Sequence, residues 1–115
     1  MDKKFNKISG QIGENKAVEY LQNKKYKILA QNFTTHIGEV DIICVFKKTI
    51  VFVEVKARET LAFGRPSEAV NELKQSKIRR VAEEYLIRNH LEDVPIRFDV
   101  IEIVGNYINH IENCF

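Results

Sequence analysis

Two periodicities of apolar and polar positions divide the chain. Residues 9–25 carry Ala17, Val18 and Leu21 at helical spacing, with Ser9 as a candidate N-cap. Residues 26–33 read as a strand and 34–38 as a turn. Residues 39–46 and 49–57 then form a hairpin turning at Lys47-Lys48. A loop containing Gly64 and Pro66 leads to a helix over 67–89, whose apolar face is Val70, Leu73, Ile78, Val81 and Tyr85. After a loop at 90–95, residues 96–104 alternate as a strand, Gly105-Asn106 turns, and 107–115 form a last extended segment. The order α-β-β-β-α-β(-β) predicts an α/β (α+β) fold with a mixed sheet flanked by helices. Strand 49–57, helix 67–89 and strand 96–104 should make a right-handed parallel crossover.

Charges interrupt this pattern where they are costly. Residues 50–57, Ile-Val-Phe-Val-Glu-Val-Lys-Ala, have the composition of a strand covered on both faces, except for Glu54 and Lys56. Those two emerge from one face, because side chains alternate with period two. If Phe46 faces Thr49, Asp41 stands opposite Glu54 and Glu39 opposite Lys56. Directly opposed Cβ atoms lie about 5 Å apart, where like charges destabilise a sheet. Two carboxylates so placed suit a divalent cation with oxygen ligands. A one-residue slip would send Asp41 to the other face, and Lys-Lys is not a favoured two-residue turn. The plain alternative is a cross-strand Glu39–Lys56 pair with Asp41 at a strand edge.

Each helix adds a charge on its apolar side. Glu14 falls in the sector of Ala17, Val18 and Leu21, and Lys74 points into the centre of the second helix's face, with Lys77 nearby. Snorkelling lysine stems and a favourable first-turn Glu explain either one singly. All of them directed at one sheet face make a pocket.

The chain's 115 residues are enough for one domain, 1–115, with its own core. No apolar run approaches the ~20 residues of a membrane span. The polar N-terminus lacks a signal-peptide core, and Cys44 and Cys114 have no metal-type spacing, which predicts a cytoplasmic protein with reduced thiols. Net charge is only +2, but it is polarised: residues 1–30 carry seven Lys against three acids, and 90–115 one Arg against five acids. With Glu14, Glu39, Asp41 and Glu54 gathered at one site, the remainder has 18 bases against 12 acids. A basic surface around an acidic pocket suits a polyanion handled with metal ions.

A carboxylate-bound Mg²⁺ polarises a phosphoryl oxygen and acidifies water, and a neighbouring lysine offsets developing charge. Asp41, Glu54 and Lys56, with Glu14 as a third acid and the Val55 carbonyl as a further ligand, therefore suit phosphodiester hydrolysis. Arg58, Arg65, Lys74, Lys77 and Arg80 are candidate phosphate contacts. Arg79–Glu83 and Arg80–Glu84 have the i,i+4 spacing of surface ion pairs.

Asp41 followed by Glu54-Val55-Lys56 resembles the PD-(D/E)XK nuclease signature, with Val40 in place of the nominal proline. The longer set Gly10-x-x-Gly13-Glu14-x-x-Ala17, Gly38-Glu39-Val40-Asp41, Phe52-Val53-Glu54-Val55-Lys56-x-Arg58, Gly64-x-Pro66, Lys74, Arg97-Phe98-Asp99 and His110-Ile111-Glu112-Asn113 resembles the YraN-like (UPF0102) family of predicted endonucleases, related to Holliday-junction resolvases. The resemblance implies a restriction-endonuclease-like αβββαβ core and a nuclease centre of Glu14, Asp41, Glu54 and Lys56. It also implies Mg²⁺ or Mn²⁺ as cofactor, DNA (branched DNA included) as substrate, and a homodimer. Two rival classes are a nuclease fold that binds nucleic acid without cutting, and a small-molecule hydrolase or structural protein with a buried ion-pair cluster.

Overall fold

The computed structural model describes residues 3–58 and 70–115, with side chains from residue 10 onward and that of Arg58 left aside. The elements are α1 (Lys3–Asn23), β1 (Lys27–Thr34), β2 (Glu39–Phe46), β3 (Thr49–Arg58), α2 (Glu72–Arg88), β4 (Ile96–Val104) and β5 (Tyr107–Ile111). The five strands lie in chain order in one α+β mixed sheet: β1, β2 and β3 are antiparallel neighbours, β3 and β4 are parallel, and β5 returns antiparallel to β4. This agrees with the element order and mixed sheet read from the sequence.

Strand β3 shows why its apolar run is continuous. Ile50 and Phe52 enter the core beneath α2, with Ile78, Val81 and Tyr85. Val51 and Val53 enter the core beneath α1, with Ala17, Leu21 and Tyr26. Each such side chain contributes about 1.5–3 kcal/mol when fully buried, so the central strand ties both layers together. The hairpin takes the predicted register, Phe46 opposite Thr49. Lys47 and Lys48 allow it by both adopting positive φ, 48° and 70°, the hand of a type I′ turn, despite lacking the usual Asn or Gly.

Helix boundaries differ from the sequence expectation in two places. Ser9 lies inside α1 and does not cap it, because no residue between Lys3 and Ser9 is a helix breaker. At its other end, α1 closes with Lys25 at φ 72°, Tyr26 N–H donating to Leu21 O at 3.0 Å and Lys25 N–H to Gln22 O at 3.0 Å. That is a Schellman closure, and its flanking residues Leu21 and Tyr26 share one core. Helix α2 begins at Glu72, since Asn71 is its N-cap, its Oδ1 accepting from Lys74 N–H at 2.9 Å. Residues 67–69 of the predicted helix lie outside the described residues. The buried stripe is Ile78, Val81, Ala82 and Tyr85, so Leu73, expected in it, is turned off the stripe and exposed. Neither expected arginine pair forms among the described residues: Glu84 is bonded by Arg88, and Arg79 lies over the rings of Phe98 and Phe115.

Two close fits hold the periphery. Gly13 faces β3 so tightly that a Cβ there would stand 2.8 Å from Ala57 Cβ, which lets α1 rest on the strand beside Val55. On the same side, Asp99 is fully buried and accepts from Arg97 Nε at 2.9 Å and Nη2 at 2.8 Å, and from Asn113 N–H at 3.0 Å, with His110 Nε2 at 2.6 Å. Burial alone would raise its pKa, but His110, Arg97 and the Asn113 amide outweigh burial and hold the carboxyl below its ordinary range. Asp99 thereby fastens β5 and the last residues to β4. No helix among the described residues is long and apolar enough to cross a membrane.

Two stability tests follow from these fits. Gly13→Ala should destabilise the protein by ~1–2 kcal/mol in urea unfolding, because overpacking outweighs the gain in helix propensity. Gly10→Ala, with open space around its Cβ, should instead stabilise by up to ~1 kcal/mol. Equal signs for the two would contradict the α1–β3 contact. Asp99→Ala takes from Arg97 its bidentate partner, leaving Glu112 at 3.6 Å, and should cost ~3 kcal/mol; an unchanged urea midpoint would show that the network carries no stability.

Candidate functional site

The site begins where two strands part. Paired residues of β2 and β3 run from Phe46–Thr49 to Ile42–Val53. There the β2–β3 ladder ends, although β2 stays paired with β1 on its other side as far as Val40–Phe33 and Glu39–Thr34. The freed Val55 N–H donates to Asp41 Oδ2 at 2.8 Å. A side chain thus replaces a main-chain partner, and the Asp41 carboxyl is fixed at the end of the β2–β3 ladder.

Helix α1 brings a second acid. With Gly13 against β3, the next residue, Glu14, reaches the same place. Its Oε2 is buried without a hydrogen-bond partner, and its side chain is bonded to that of Asn32. Glu39, at the start of β2, is the third. Carboxylate oxygens of Glu14, Glu39 and Asp41 lie within 4.8 Å of one another, a spacing one cation can span. Burial and this crowding both disfavour the charged carboxylates. Burial raises the Asp41 carboxyl to about 7, helped by the Glu54, Glu14 and Glu39 charges and opposed by the Val55 amide. Burial also raises Glu14, with Glu39 and Glu54 adding to it and Asn32 opposing.

Glu54 is 5% exposed in the central strand. Its Oε1 is shared by Lys56 Nζ at 3.4 Å and Lys74 Nζ at 3.0 Å, whereas its Oε2 has no hydrogen-bond partner. The two lysines respond in opposite directions. Burial lowers Lys56 despite Glu54, and the neighbouring Lys74 charge lowers it further. Burial lowers Lys74 as well, but Glu54 outweighs it and holds that ammonium above its ordinary range.

The sequence-predicted quartet Glu14, Asp41, Glu54 and Lys56 is therefore brought together, and Lys74 joins it. Val55 contributes its N–H to Asp41. The expected Glu39–Lys56 cross-strand pair does not form, because the strands have parted before that position; Lys56 turns to Glu54 and Glu39 joins the acids. Lys77 is exposed on α2. Arg58's side chain and Arg65 lie outside the described residues. The sequence reading also missed Asn32, whose positive φ of 52° inside β1 leaves no mark in hydropathy.

These residues can hold a hard divalent cation. The donor set is all carboxylate oxygen: Glu14, Glu39 and Asp41 cluster, Glu54 adds its charge to Asp41 and carries the two ammonium groups, and one oxygen each of Glu14 and Glu54 is buried without a hydrogen-bond partner.

Comparison with known proteins gives a family without an assigned activity. Residues 13–103 match the model of "Uncharacterised protein family UPF0102". A UPF0102 protein of Alkaliphilus oremlandii is 55% identical, the match covering 96% of this chain and 100% of that one. One from Clostridioides difficile is 49% identical over 96% and 98% of the two chains, and one from Persephonella marina 44% identical over 96% of each. The Glu14, Asp41, Glu54 and Lys56 centre lies wholly within the matched span, and the chain belongs to the UPF0102 family.

Proposed function

We propose that this protein is a metal-dependent endonuclease that hydrolyses phosphodiester bonds of DNA, with the PD-(D/E)XK nucleases as its superfamily. The observation that carries this reading is the buried Glu54 with an unpartnered oxygen, set beside Asp41, Glu14 and two lysines. An ion-pair cluster of purely structural purpose would be arranged to satisfy that oxygen. The element order and the spacing of Asp41 and Glu54-Val55-Lys56 support the superfamily placement.

Asp41 and Glu54 would hold Mg²⁺ or Mn²⁺, with Glu14 supporting and the Val55 carbonyl as the further ligand. The ion, when bound, supplies Lewis acidity toward a phosphoryl oxygen and an acidified water. Val55 N–H keeps the Asp41 carboxylate aimed. Lys56, whose pKa burial lowers, is suited to orient a water nucleophile and to give or take a proton at Nζ. Lys77, Arg58 and Arg65 would bind backbone phosphates. Branched DNA is the preferred substrate class and a homodimer the working assembly in this reading, with the cytoplasm as the compartment where Cys44 and Cys114, both free, stay reduced.

Cleavage of labelled four-way junction, flap, duplex and single-stranded DNA in Mn²⁺ or EDTA tests the proposal. Wild type should cut only with metal, Asp41→Ala should fall to background, and Lys56→Met should lose about 10²–10⁴ in rate. Cutting by purified Asp41→Ala would sink the assignment. Binding without cutting would favour a non-catalytic nuclease fold.

Metal binding also predicts a pH signature in stability. Asp41 titrates near 7 when folded against an ordinary 3.8, so its ionisation opposes folding. That penalty is absent below about pH 4, grows between about 4 and 7, and is complete above. In EDTA, Tm should therefore carry a declining component over this range that Asp41→Asn lacks. Mg²⁺ should raise wild-type Tm most above pH 7. Superimposable pH profiles for wild type and Asp41→Asn in EDTA would refute it.

A further inference from the structure

Two lysines on a single carboxylate oxygen are more than a structural pair needs, and they differ in how they are held. Lys56 comes from the same strand as Glu54, and its side chain is 22% exposed at 3.4 Å from Oε1. Lys74 comes from α2, makes the shorter contact at 3.0 Å, and yet is 42% exposed. Its backbone is pinned, because Asn71 Oδ1 accepts its N–H. Beyond that point four methylenes lie partly in water. Its helix does not favour it either: Lys74 is the third residue of α2, where the positive end of the helix dipole opposes a cation. What keeps the Lys74 ammonium in place is Glu54, a buried anion that shares its surroundings with three more acids.

We propose that Lys74 is an exchangeable counter-ion: it neutralises Glu54 in the metal-free centre and is released when a divalent cation takes over that carboxylate. This rests on the metal-binding reading above. A cation at Asp41 and Glu54 brings two positive charges to a carboxylate that already has Lys56. Repulsion then falls on whichever ammonium can move, and Lys74 has both the solvent access and the free stem. Turned outward from the first turn of α2, its Nζ meets the side from which a phosphodiester would approach, near Lys77 on the next turn. Metal loading thereby creates a phosphate contact that the metal-free protein keeps occupied. The ligand class is a divalent cation followed by a phosphodiester.

Two measurements test it without using cleavage. In calorimetric titration with Mn²⁺ alone, Lys74→Met should bind about tenfold more tightly than wild type, because a competing charge is gone, and Lys74→Arg should restore wild-type affinity. Unchanged or weaker binding by Lys74→Met overturns the proposal. In protein carrying ¹³Cε-lysine, saturating Mg²⁺ should move the Lys74 signal toward the position of solvent-exposed lysines, while the Lys56 signal stays apart from them. A Lys74 signal unmoved by Mg²⁺ that demonstrably binds, with binding lost in Asp41→Asn, overturns this inference and leaves the metal-binding reading standing. No Mg²⁺ or Mn²⁺ uptake by wild type overturns both.

Discussion

A carboxylate buried in the central strand of a sheet has to be compensated, and the rest of this site is arranged around that requirement at Glu54. Strand β3 is covered on both faces, so water cannot solvate the charge. Compensation must come from neighbouring elements. Lys56 follows on the same strand face, and Lys74 reaches in from α2. Burial, aided by the crowding of carboxylates, makes Asp41 and Glu14 reluctant to ionise. A fully apolar strand would pack as well and more cheaply. In the metal-dependent reading proposed above, the half-satisfied anion serves chemistry and not stability.

The two faces of the sheet treat buried charge in opposite ways. Beneath α1, Asp99 is given Arg97, His110 and a main-chain amide, and its charge is held firmly. Beneath α2, Glu54 keeps one oxygen bare and Asp41 has its main-chain bond at a strand fork. Asp99 and Glu54 are buried carboxylates on adjacent strands, β4 and β3. One is saturated and anchors the C-terminal strand, and the other is unsaturated and available. Burial alone would not separate them; partner count does.

Much of this was legible in the chain. The apolar run of residues 50–57 with two charges in it located the central strand and its site, and alternation placed Glu54 and Lys56 together. The hairpin register followed from placing the turn at Lys47-Lys48, even though that is poor turn chemistry. Illegible were features that depend on where strands diverge. Glu39 was read opposite Lys56 because a regular ladder was continued past Ile42, and nothing local marks the parting. Asn32 was missed because a single left-handed residue in a strand leaves hydropathy unchanged. Leu73 was misplaced although spacing excludes it: at 100° per residue it falls well outside the sector of Ile78, Val81 and Tyr85. The Asp99 network escaped as well, because its contacts are remote in sequence: Arg97 also donates to Tyr26 Oη across 71 residues.

The meander β1–β2–β3 is local in sequence, whereas the parallel β3–β4 pairing waits for the α2 crossover. Local contacts close first in such a topology. Glu39, Asp41 and Glu54 all belong to the early meander, and Lys74 arrives only with the crossover. With that order of closure the acids would converge with Lys56 alone beside them, and dissolved cations would be their natural partners until α2 docks.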